Sequence, residues 1–151
     1  MYFDDLPVGY SFETAERELA EAEIIAFASQ WDPQFFHTDP EAAKSSPYGG
    51  LIASGYHTLL TAFTLELASN VWTEASMGSP GMDALRWLRP VRPGDRLRVR
   101  VEVTETRPSR SKPDRGITRF AHTVLNQHGE AVMTYETMVI LARRPDASAA
   151  S

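Results

Sequence analysis

Apolar and polar residues alternate along four segments in the second half of the chain. Such alternation gives a strand one dry face and one wet face, which is typical of an antiparallel sheet packed on a core. The turn sequences RPGD and QHGE lie between neighbouring segments. The predicted strands are ALRWLRPV (84–91), DRLRVRVEVTETR (95–107), GITRFAHTVLNQ (116–127) and AVMTYETMVILAR (131–143).

The first part of the chain begins with a strand pattern and then changes to a helical one. Alternation over Tyr10–Glu16 predicts a strand. From Ala20, apolar residues recur at steps of three and four as far as Trp31, which predicts a helix. Pro33 ends this helix, because a proline disfavours the helical conformation of the residue before it.

Two further helices are predicted before the four strands. Asp39 and Pro40 suit the cap and first position of a short helix that runs to about Ser45. Residues 54–72, SGYHTLLTAFTLELASNVW, form the longest helical segment, in which Glu66 is the only charge. A helix with scarcely any polar face is expected to be wrapped by other structure.

The order of these elements predicts an α+β fold, a curved antiparallel sheet wrapped around the apolar helix at about residues 54–72. No internal repeat or long linker divides the chain, so residues 1–144 are predicted to form a single domain. The small and polar residues 145–151 are predicted to be a disordered tail. Because such a sheet leaves edges exposed, a homodimer or higher homo-oligomer is expected.

Composition narrows the possible functions. Of the 151 residues, 42% are hydrophobic and 23% are charged, which is ordinary for a soluble globular protein. The net charge of −5 argues against nucleic-acid binding, which needs a basic face. The absence of cysteine excludes disulfides and thiol nucleophiles. No segment resembles a signal peptide or a membrane span, so a cytoplasmic location without membrane contact is expected.

Asp32 and His37 are the first candidates for chemistry. They follow the end of the first predicted helix, and a segment that curls back between them would bring the carboxylate and the imidazole together. Such a pair can hold a water molecule and transfer its protons. The alternative is structural: Asp32 belongs to an Asp-Pro turn and His37 is a buried, hydrogen-bonded histidine.

A glycine-containing segment, GGLIASG at residues 49–55, leads directly into the long apolar helix. A helix N-terminus carries free N–H groups and the positive end of the helix dipole, so it can stabilise a developing oxyanion. The alternative is that these glycines serve only turns and close packing. The segment is not a phosphate-binding loop, and Ser54 is a poor nucleophile because it lies outside any G-x-S-x-G motif.

Together the two segments resemble a known family. DPQFFH at 32–37 and PYGGLIASGYHT at 47–58 are similar to the D-x-N-P-x-H and G-G-x-I-A-x-G segments of MaoC-like dehydratases, the (R)-specific enoyl-CoA hydratases of the hotdog fold. The resemblance continues through GMDALRWLRPVRPGD and RPSRSKPDRG and covers roughly residues 8–143. It implies a single hotdog domain and a lyase that reversibly adds water to a 2-enoyl thioester in fatty-acid metabolism.

The resemblance also implies roles for individual residues. Asp32 and His37 match the catalytic pair of the family, and Gly55 matches the glycine whose N–H contacts the thioester oxygen. Gln34 stands where the family has asparagine, and Phe35 where it has proline. The longer amide side chain and the absence of the proline are expected to change the geometry of the active loop and the choice of substrate. Contact with the substrate is expected at Gln34, Ser54 and Tyr56.

A basic run between the second and third of the four predicted strands is a candidate for binding the phosphates of coenzyme A. Guanidinium groups suit phosphate, and only Asp114 opposes the cations Arg107, Arg110, Lys112 and Arg115. Arg110 and Lys112 are therefore expected to bind substrate, the alternative being a solvated hairpin tip.

The aromatic residues near the two motifs are candidates either for an acyl tunnel or for the core: Trp31, Phe35, Phe36, Tyr48 and Tyr56.

The remaining histidines are assigned no chemistry. His57 is expected to be packed within the apolar helix, and His122 and His128 have no partners at ligand spacing, so no metal site is expected. No resident cofactor is expected either, because coenzyme A or an acyl carrier arrives as part of the substrate.

Two other functions remain open on the same fold: an acyl-CoA thioesterase and a non-catalytic subunit that binds acyl thioesters.

Overall fold

The structure of the protein is a computed structural model that describes residues 1–145, so the predicted tail lies outside the described residues except for Pro145. Its helices are α1 (Glu21–Trp31), α2 (Phe35–Thr38), α3 (Pro40–Ala43) and α4 (Gly55–Ser69). Its strands are β1 (Ser11–Glu13), β2 (Arg17–Glu18), β3 (Gly81–Trp87), β4 (Arg96–Pro108), β5 (Arg115–Leu125) and β6 (Ala131–Ala142). Within this range no helix is long and apolar enough to cross a membrane.

The strands form one antiparallel sheet in the order β1-β4-β5-β6-β3, and β2 also pairs with β4. The three long strands confirm the prediction from alternation. Along β4, Leu97, Val99 and Val101 are fully buried, whereas the residues between them are partly or fully exposed. The sheet packs its dry face against α4, which is the hotdog arrangement that the resemblance implies.

The face of α4 that the sheet covers is more polar than the sequence suggests. Thr58, Thr61 and Glu66 are buried, whereas Leu60 and Phe63 are 49% and 44% exposed. Burial of a threonine is possible because its hydroxyl bonds to the helix itself; Oγ1 of Thr61 donates to the carbonyl of His57 at 2.8 Å. The structure therefore wraps only one side of α4, and an apolar side stays open.

Of the predicted strand at Tyr10–Glu16, only β1 forms, and the short strand β2 follows just after the predicted span. Strand β1 stops before Thr14, whose N–H donates to the carbonyl of Val99 at 2.9 Å. The N–H of Val99 donates in return to Oγ1 of Thr14, also at 2.9 Å, rather than to a backbone carbonyl. A side-chain oxygen thus replaces the main-chain acceptor, and the regular pairing stops there.

Two other boundaries differ from the prediction. The long helix ends at Ser69 rather than at Trp72, because Asn70 adopts the left-handed conformation that closes many helices. Strand β3 covers Gly81–Trp87 rather than 84–91, so Leu88 and the residues after it leave the sheet. This early end of β3 supplies part of the site described next.

Candidate active site

Asp32 and His37 lie together because the chain folds back between them. Asp32 closes α1, where its N–H bonds to the carbonyl of Ala28 at 2.8 Å. Two tight turns follow: the N–H of Gln34 bonds to the carbonyl of Asp32 at 2.8 Å, and the N–H of His37 bonds to that of Gln34 at 2.9 Å. As a result, Oδ2 of Asp32 lies 3.3 Å from Nε2 of His37.

One ring nitrogen of His37 already makes a hydrogen bond to the main chain. Nδ1 lies 2.7 Å from the carbonyl oxygen of Ile52, and because a carbonyl only accepts, Nδ1 carries a hydrogen. Nε2 is then the nitrogen that faces Asp32, where it can accept a proton or, in the imidazolium form, donate one. His37 is 4% exposed and packs against the edge of Phe36, which holds the ring in this orientation.

Both oxygens of the Asp32 carboxylate accept hydrogen bonds. Nε2 of Gln34 donates to Oδ1 at 2.8 Å, and Oγ of Ser54 donates to Oδ2 at 2.7 Å. Burial acts to raise the pKa of Asp32, but these two hydrogen bonds and the charge of His37 outweigh it and lower the pKa below its ordinary value. Asp32 is therefore an anion at neutral pH and suited to accept a proton.

The structure gives Gln34 and Ser54 a role that the sequence does not predict, because both orient Asp32. Ser54 is fully buried, and its Oγ also accepts the N–H of Tyr56 at 3.3 Å as the cap of α4. Gln34 is exposed, and its amide reaches Asp32 although the family has the shorter asparagine there. Their contact with the substrate stays a prediction.

Gly55 is the first residue of α4, and its N–H donates no hydrogen bond to any part of residues 1–145. A Cβ at this position would lie 2.4 Å from the indole ring of Trp87, so only glycine allows the two to meet. Trp87 follows a β-bulge between Asp83 and Arg86, where Ala84 has a φ of 52°. The glycine is thus required by close packing rather than by a turn.

Asp32, His37 and Gly55 line one cavity of about 550 Å³, a volume within the range of small-molecule sites. Its walls also include Gln34, Phe36, Tyr48, Tyr56, Trp87 and Arg89. A carboxylate, an imidazole and an unpaired N–H on one cavity can bind a carbonyl oxygen and transfer protons beside it. The site residues predicted from two separate motifs are therefore brought together.

The aromatic candidates divide into two groups. Phe36, Tyr48 and Tyr56 line the cavity, as the prediction of an acyl tunnel requires. Trp31 and Phe35 do not line it, and they are 67% and 48% exposed. Neither of the last two belongs to the core, so for them both interpretations of the sequence are wrong.

The wall formed by residues 87–91 is not predicted from the sequence. The segment RWLRPV is typical of the end of a strand. The strand stops at Trp87 instead, and the next four residues line the cavity. Pro90 carries the signal for this, because a proline cannot donate to a neighbouring strand and is rare inside a sheet.

Arg110 and Lys112 do not reach this cavity within one chain. They lie in the turn between β4 and β5, near the start of β5 at Arg115. The cavity lies by the other end of the sheet, where Val132 at the start of β6 is part of its wall. Strand β5 separates the two ends by roughly 33 Å. Phosphate binding by this hairpin stays a prediction, and the cation on the cavity wall is Arg89, which pairs with Glu130 at 3.2 Å.

Comparison with known proteins identifies the family of the chain. Residues 5–126 match the family described as MaoC like domain. The chain is 40% identical to a MaoC-like dehydratase of known structure from Rhodospirillum rubrum, with a TM-score of 0.89 over 96% of this chain and 99% of that one. It is 29% identical to the R-hydratase PhaJ1 from Pseudomonas aeruginosa, with a TM-score of 0.73 over 95% and 86% of the two chains.

A further relative is known from its sequence. The chain is 30% identical over 152 residues to a 3-hydroxybutyryl-CoA dehydratase of Methylorubrum extorquens, and the alignment covers 97% of this chain and 88% of that protein. The matched family region includes the turn from Asp32 to His37 and the start of α4 at Gly55. On this sequence match and on the shared hotdog fold, the protein belongs to the family of MaoC-like dehydratases.

Proposed function

We propose that the protein is a hydro-lyase that reversibly adds water across the C2=C3 bond of a 2-enoyl thioester. The observation that supports this most is the 3.3 Å approach of Asp32 Oδ2 and His37 Nε2 beside the cavity that Gly55 also lines. Its relatives include proteins named as dehydratases and a hydratase. The reaction consumes only water and a thioester, so it needs no resident cofactor, and coenzyme A or an acyl carrier enters with the substrate.

Gly55 and the start of α4 polarise the thioester carbonyl. The N–H of Gly55 donates to the carbonyl oxygen, and the positive end of the α4 dipole favours negative charge there. Withdrawal of electrons toward this oxygen makes C3 electrophilic and stabilises the enolate that forms when water adds. Trp87 packs directly on Gly55, so its ring leaves little room for solvent beside that oxygen.

Asp32 and His37 divide the proton transfers between them. The oxygen of water bonds to C3 while one of its protons passes to the Asp32 carboxylate, whose lowered pKa keeps it ionised. C2 then takes a proton from Nε2 of the His37 imidazolium. The proton on Asp32 crosses the 3.3 Å gap to Nε2, which restores both groups. The same steps in reverse dehydrate a 3-hydroxyacyl thioester.

The experiment is a panel of thioesters offered to the purified wild-type chain. Loss of the enoyl absorbance of crotonyl-CoA, without release of free thiol, is the expected result. Release of thiol from saturated butyryl-CoA would instead indicate a thioesterase, and saturable binding without any turnover would indicate a non-catalytic subunit. Either of these two results contradicts the proposal.

We also propose that the protein works as a homodimer. Strand β3 ends the sheet, and its outer edge pairs with no strand within the described part of the chain. Trp87 on β3 and Leu60 on α4 are both about half exposed. A free strand edge beside apolar side chains is typical of a surface that pairs with another chain. Association of two β3 edges would remove the unpaired edge and these side chains from solvent. Light scattering should give the mass of a dimer; a monomer at micromolar concentration contradicts this proposal.

A further inference from the structure

The two halves of the candidate active site lie on different helices. Asp32 follows the last residue of α1, whereas Ser54 caps α4 and Gly55 begins it. The halves meet at the 2.7 Å hydrogen bond that Oγ of Ser54 donates to Oδ2 of Asp32. The position of α1 relative to the start of α4 therefore decides whether this bond forms. The bond is one of the contacts that keep the pKa of Asp32 low.

The turn from Asp32 to His37 is anchored differently at its two ends. At the His37 end, Nδ1 lies 2.7 Å from the carbonyl oxygen of Ile52, and the N–H of Ile52 donates to the carbonyl of Phe36 at 3.0 Å. These bonds tie that end to the segment before α4. At the other end, the N–H of Asp32 bonds to the carbonyl of Ala28 within α1. The position of Asp32 therefore follows that of the helix.

His57 joins α1 to the first turn of α4. It lies two residues after Gly55 and is 5% exposed. Its ring stacks on that of Phe27 of α1, with centroids 4.5 Å apart and an angle of 10° between the ring planes. Phe27 precedes Asp32 by about one and a half helical turns. The stacked pair is thus close to the Ser54–Asp32 bond along both helices.

Polar contacts do little to hold the His57 ring. Nδ1 is buried and has no hydrogen-bond partner among residues 1–145. Nε2 lies 3.8 Å from Oε1 of Glu23, which is too long for a regular hydrogen bond, and Glu23 also pairs with Arg17. Burial lowers the pKa of His57 in spite of the Glu23 carboxylate, so the ring is neutral at neutral pH. The face of the ring against Phe27 is then its main contact.

We infer that His57 is a positioning residue of the active site. Its ring, stacked on Phe27, fixes α1 against the start of α4 and so holds Asp32 at the hydroxyl of Ser54. The wall of the cavity, as formed by the described residues, does not include His57, which acts through its neighbours rather than on the substrate. The inference rests on the proposed function for the role of Asp32, but the contact can be tested without any turnover.

The experiment measures the pKa of Asp32 in the resting protein by NMR of labelled carboxyl carbons, with Asp32→Asn to identify the signal. His57→Leu removes the stacked ring, so α1 can shift and the bond from Ser54 weakens. The pKa of Asp32 should therefore rise. His57→Phe keeps a flat ring on Phe27 and should leave this pKa close to the wild-type value. An unchanged pKa in folded His57→Leu contradicts the inference.

A double variant tests whether His57 acts through the Ser54 hydroxyl. In Ser54→Ala the hydrogen bond to Asp32 is already absent, so the addition of His57→Leu should raise the pKa of Asp32 no further. A second rise as large as that of His57→Leu alone would mean that His57 acts by another route, and would overturn the inference.

The other ring of the stack provides an independent variant. Phe27→Leu should also raise the pKa of Asp32, and it decides the matter if His57→Leu does not fold, as shown by its thermal melt. Phe63→Leu is the matched control, because Phe63 lies on α4 but its ring contacts Trp72, and it should leave this pKa unchanged. No rise in folded Phe27→Leu, or an equal rise in Phe63→Leu, contradicts the inference.

Turnover gives a second readout. His57→Leu should lower kcat for crotonyl-CoA by up to about a hundredfold, the scale of a misplaced catalytic group, with little change in KM. The acid limb of its pH–rate profile should move to higher pH, whereas loss of folded protein alone would lower kcat and leave the limb in place. An unmoved limb therefore contradicts the inference. If the wild-type chain does not hydrate crotonyl-CoA but His57→Leu still raises the pKa of Asp32, the proposed function fails while the positioning by His57 stands.

Discussion

Residues 1–145 contain two acid–histidine pairs with little exposure to solvent, and the two pairs differ in the hydrogen bonds that their atoms make. In the first, Asp32 and His37 are 3.3 Å apart, with 15% and 6% of their side chains exposed. In the second, Glu66 and His122 are 2.5 Å apart, with 2% and 1% exposed. The first pair lies within one turn of the chain, whereas the second joins α4 to β5.

The surroundings of the two histidine rings decide which chemistry each pair can carry out. Nε2 of His37 faces Oδ2 of Asp32 at 3.3 Å and lies at the cavity, so it can exchange a proton with a ligand there. Both ring nitrogens of His122 are engaged, with Glu66 and Thr137, so this ring has no free position for a ligand. An open pair is suited to transfer protons, and a closed pair is suited to hold a carboxylate in place.

The largest expected effect on stability concerns the closed pair. His122→Ala leaves the buried Glu66 carboxylate with Tyr135 as its remaining partner, and should lower the free energy of unfolding by about 3–5 kcal/mol. Urea unfolding of the variant measures this loss. His128→Ala changes an exposed histidine of the same type and should alter stability by less than about 0.5 kcal/mol. Equal stability of the two variants would show that the closed pair does not hold the fold.

The next largest effect concerns the carbonyl site. In Gly55→Ala the new methyl group and the Trp87 indole cannot both keep their places, because the contact would be 2.4 Å. A displacement of about 1 Å at the N–H should lower kcat/KM by about a hundredfold. Gly50→Ala is the control, since its methyl group would meet the flexible Arg92 side chain at 3.4 Å. Full activity of Gly55→Ala would exclude this N–H from catalysis.

The open pair could be predicted from the sequence because its geometry is local. Pro33 ends α1, and the turn through Gln34 alone brings His37 back to Asp32. The closed pair could not be predicted, because Glu66 lies 56 positions from His122 and 69 from Tyr135. No local pattern encodes a contact between a helix and two strands. Such a contact depends on how the sheet curves.

In the fold, too, the features set by local sequence could be predicted and those set by contacts with distant residues could not. Alternation predicts β4, β5 and β6 correctly because each strand has one buried face along most of its length. The interruption at Thr14 and the early end of β3 depend on particular side chains and could not be read from alternation. The open side of α4 could not be predicted either, because an apolar sequence does not specify what covers it.

A smaller effect concerns the proton affinity of Asp32. Its pKa is lowered in the folded protein, and the proposed mechanism needs the ionised form, so on the acid side activity should be lost as pH falls through this lowered pKa. Ser54→Ala removes one hydrogen bond that lowers the pKa of Asp32, so the acid limb of the pH–rate profile should move to higher pH.

Ser45→Ala is the control for this shift. Its Oγ bonds to the carbonyl of Ala42 at 2.8 Å and makes no contact with Asp32, so the acid limb should not move. If Ser54→Ala leaves the limb in place, or moves it to lower pH, Asp32 is not the group that must be ionised. The proton roles proposed for Asp32 and His37 would then have to be exchanged.

The smallest effect concerns binding of the carrier. Arg89 lies on the wall of the cavity, so Arg89→Ala should raise KM for crotonyl-CoA by about threefold with little change in kcat. Arg110→Ala, on the distant hairpin, should change KM less. A larger effect of Arg110→Ala would instead mean that the hairpin of a second copy of the chain reaches the cavity.

The most direct test of the account is the rate of crotonyl-CoA hydration by Asp32→Asn, measured beside Asp39→Asn. Asparagine keeps the shape of each side chain and still caps α3 at position 39, so both variants should keep the wild-type melting temperature. Asp39→Asn should hydrate crotonyl-CoA like the wild-type protein, and Asp32→Asn should be slower by at least about a hundredfold. Near wild-type hydration by folded Asp32→Asn would contradict the assignment of the open pair as the catalytic site.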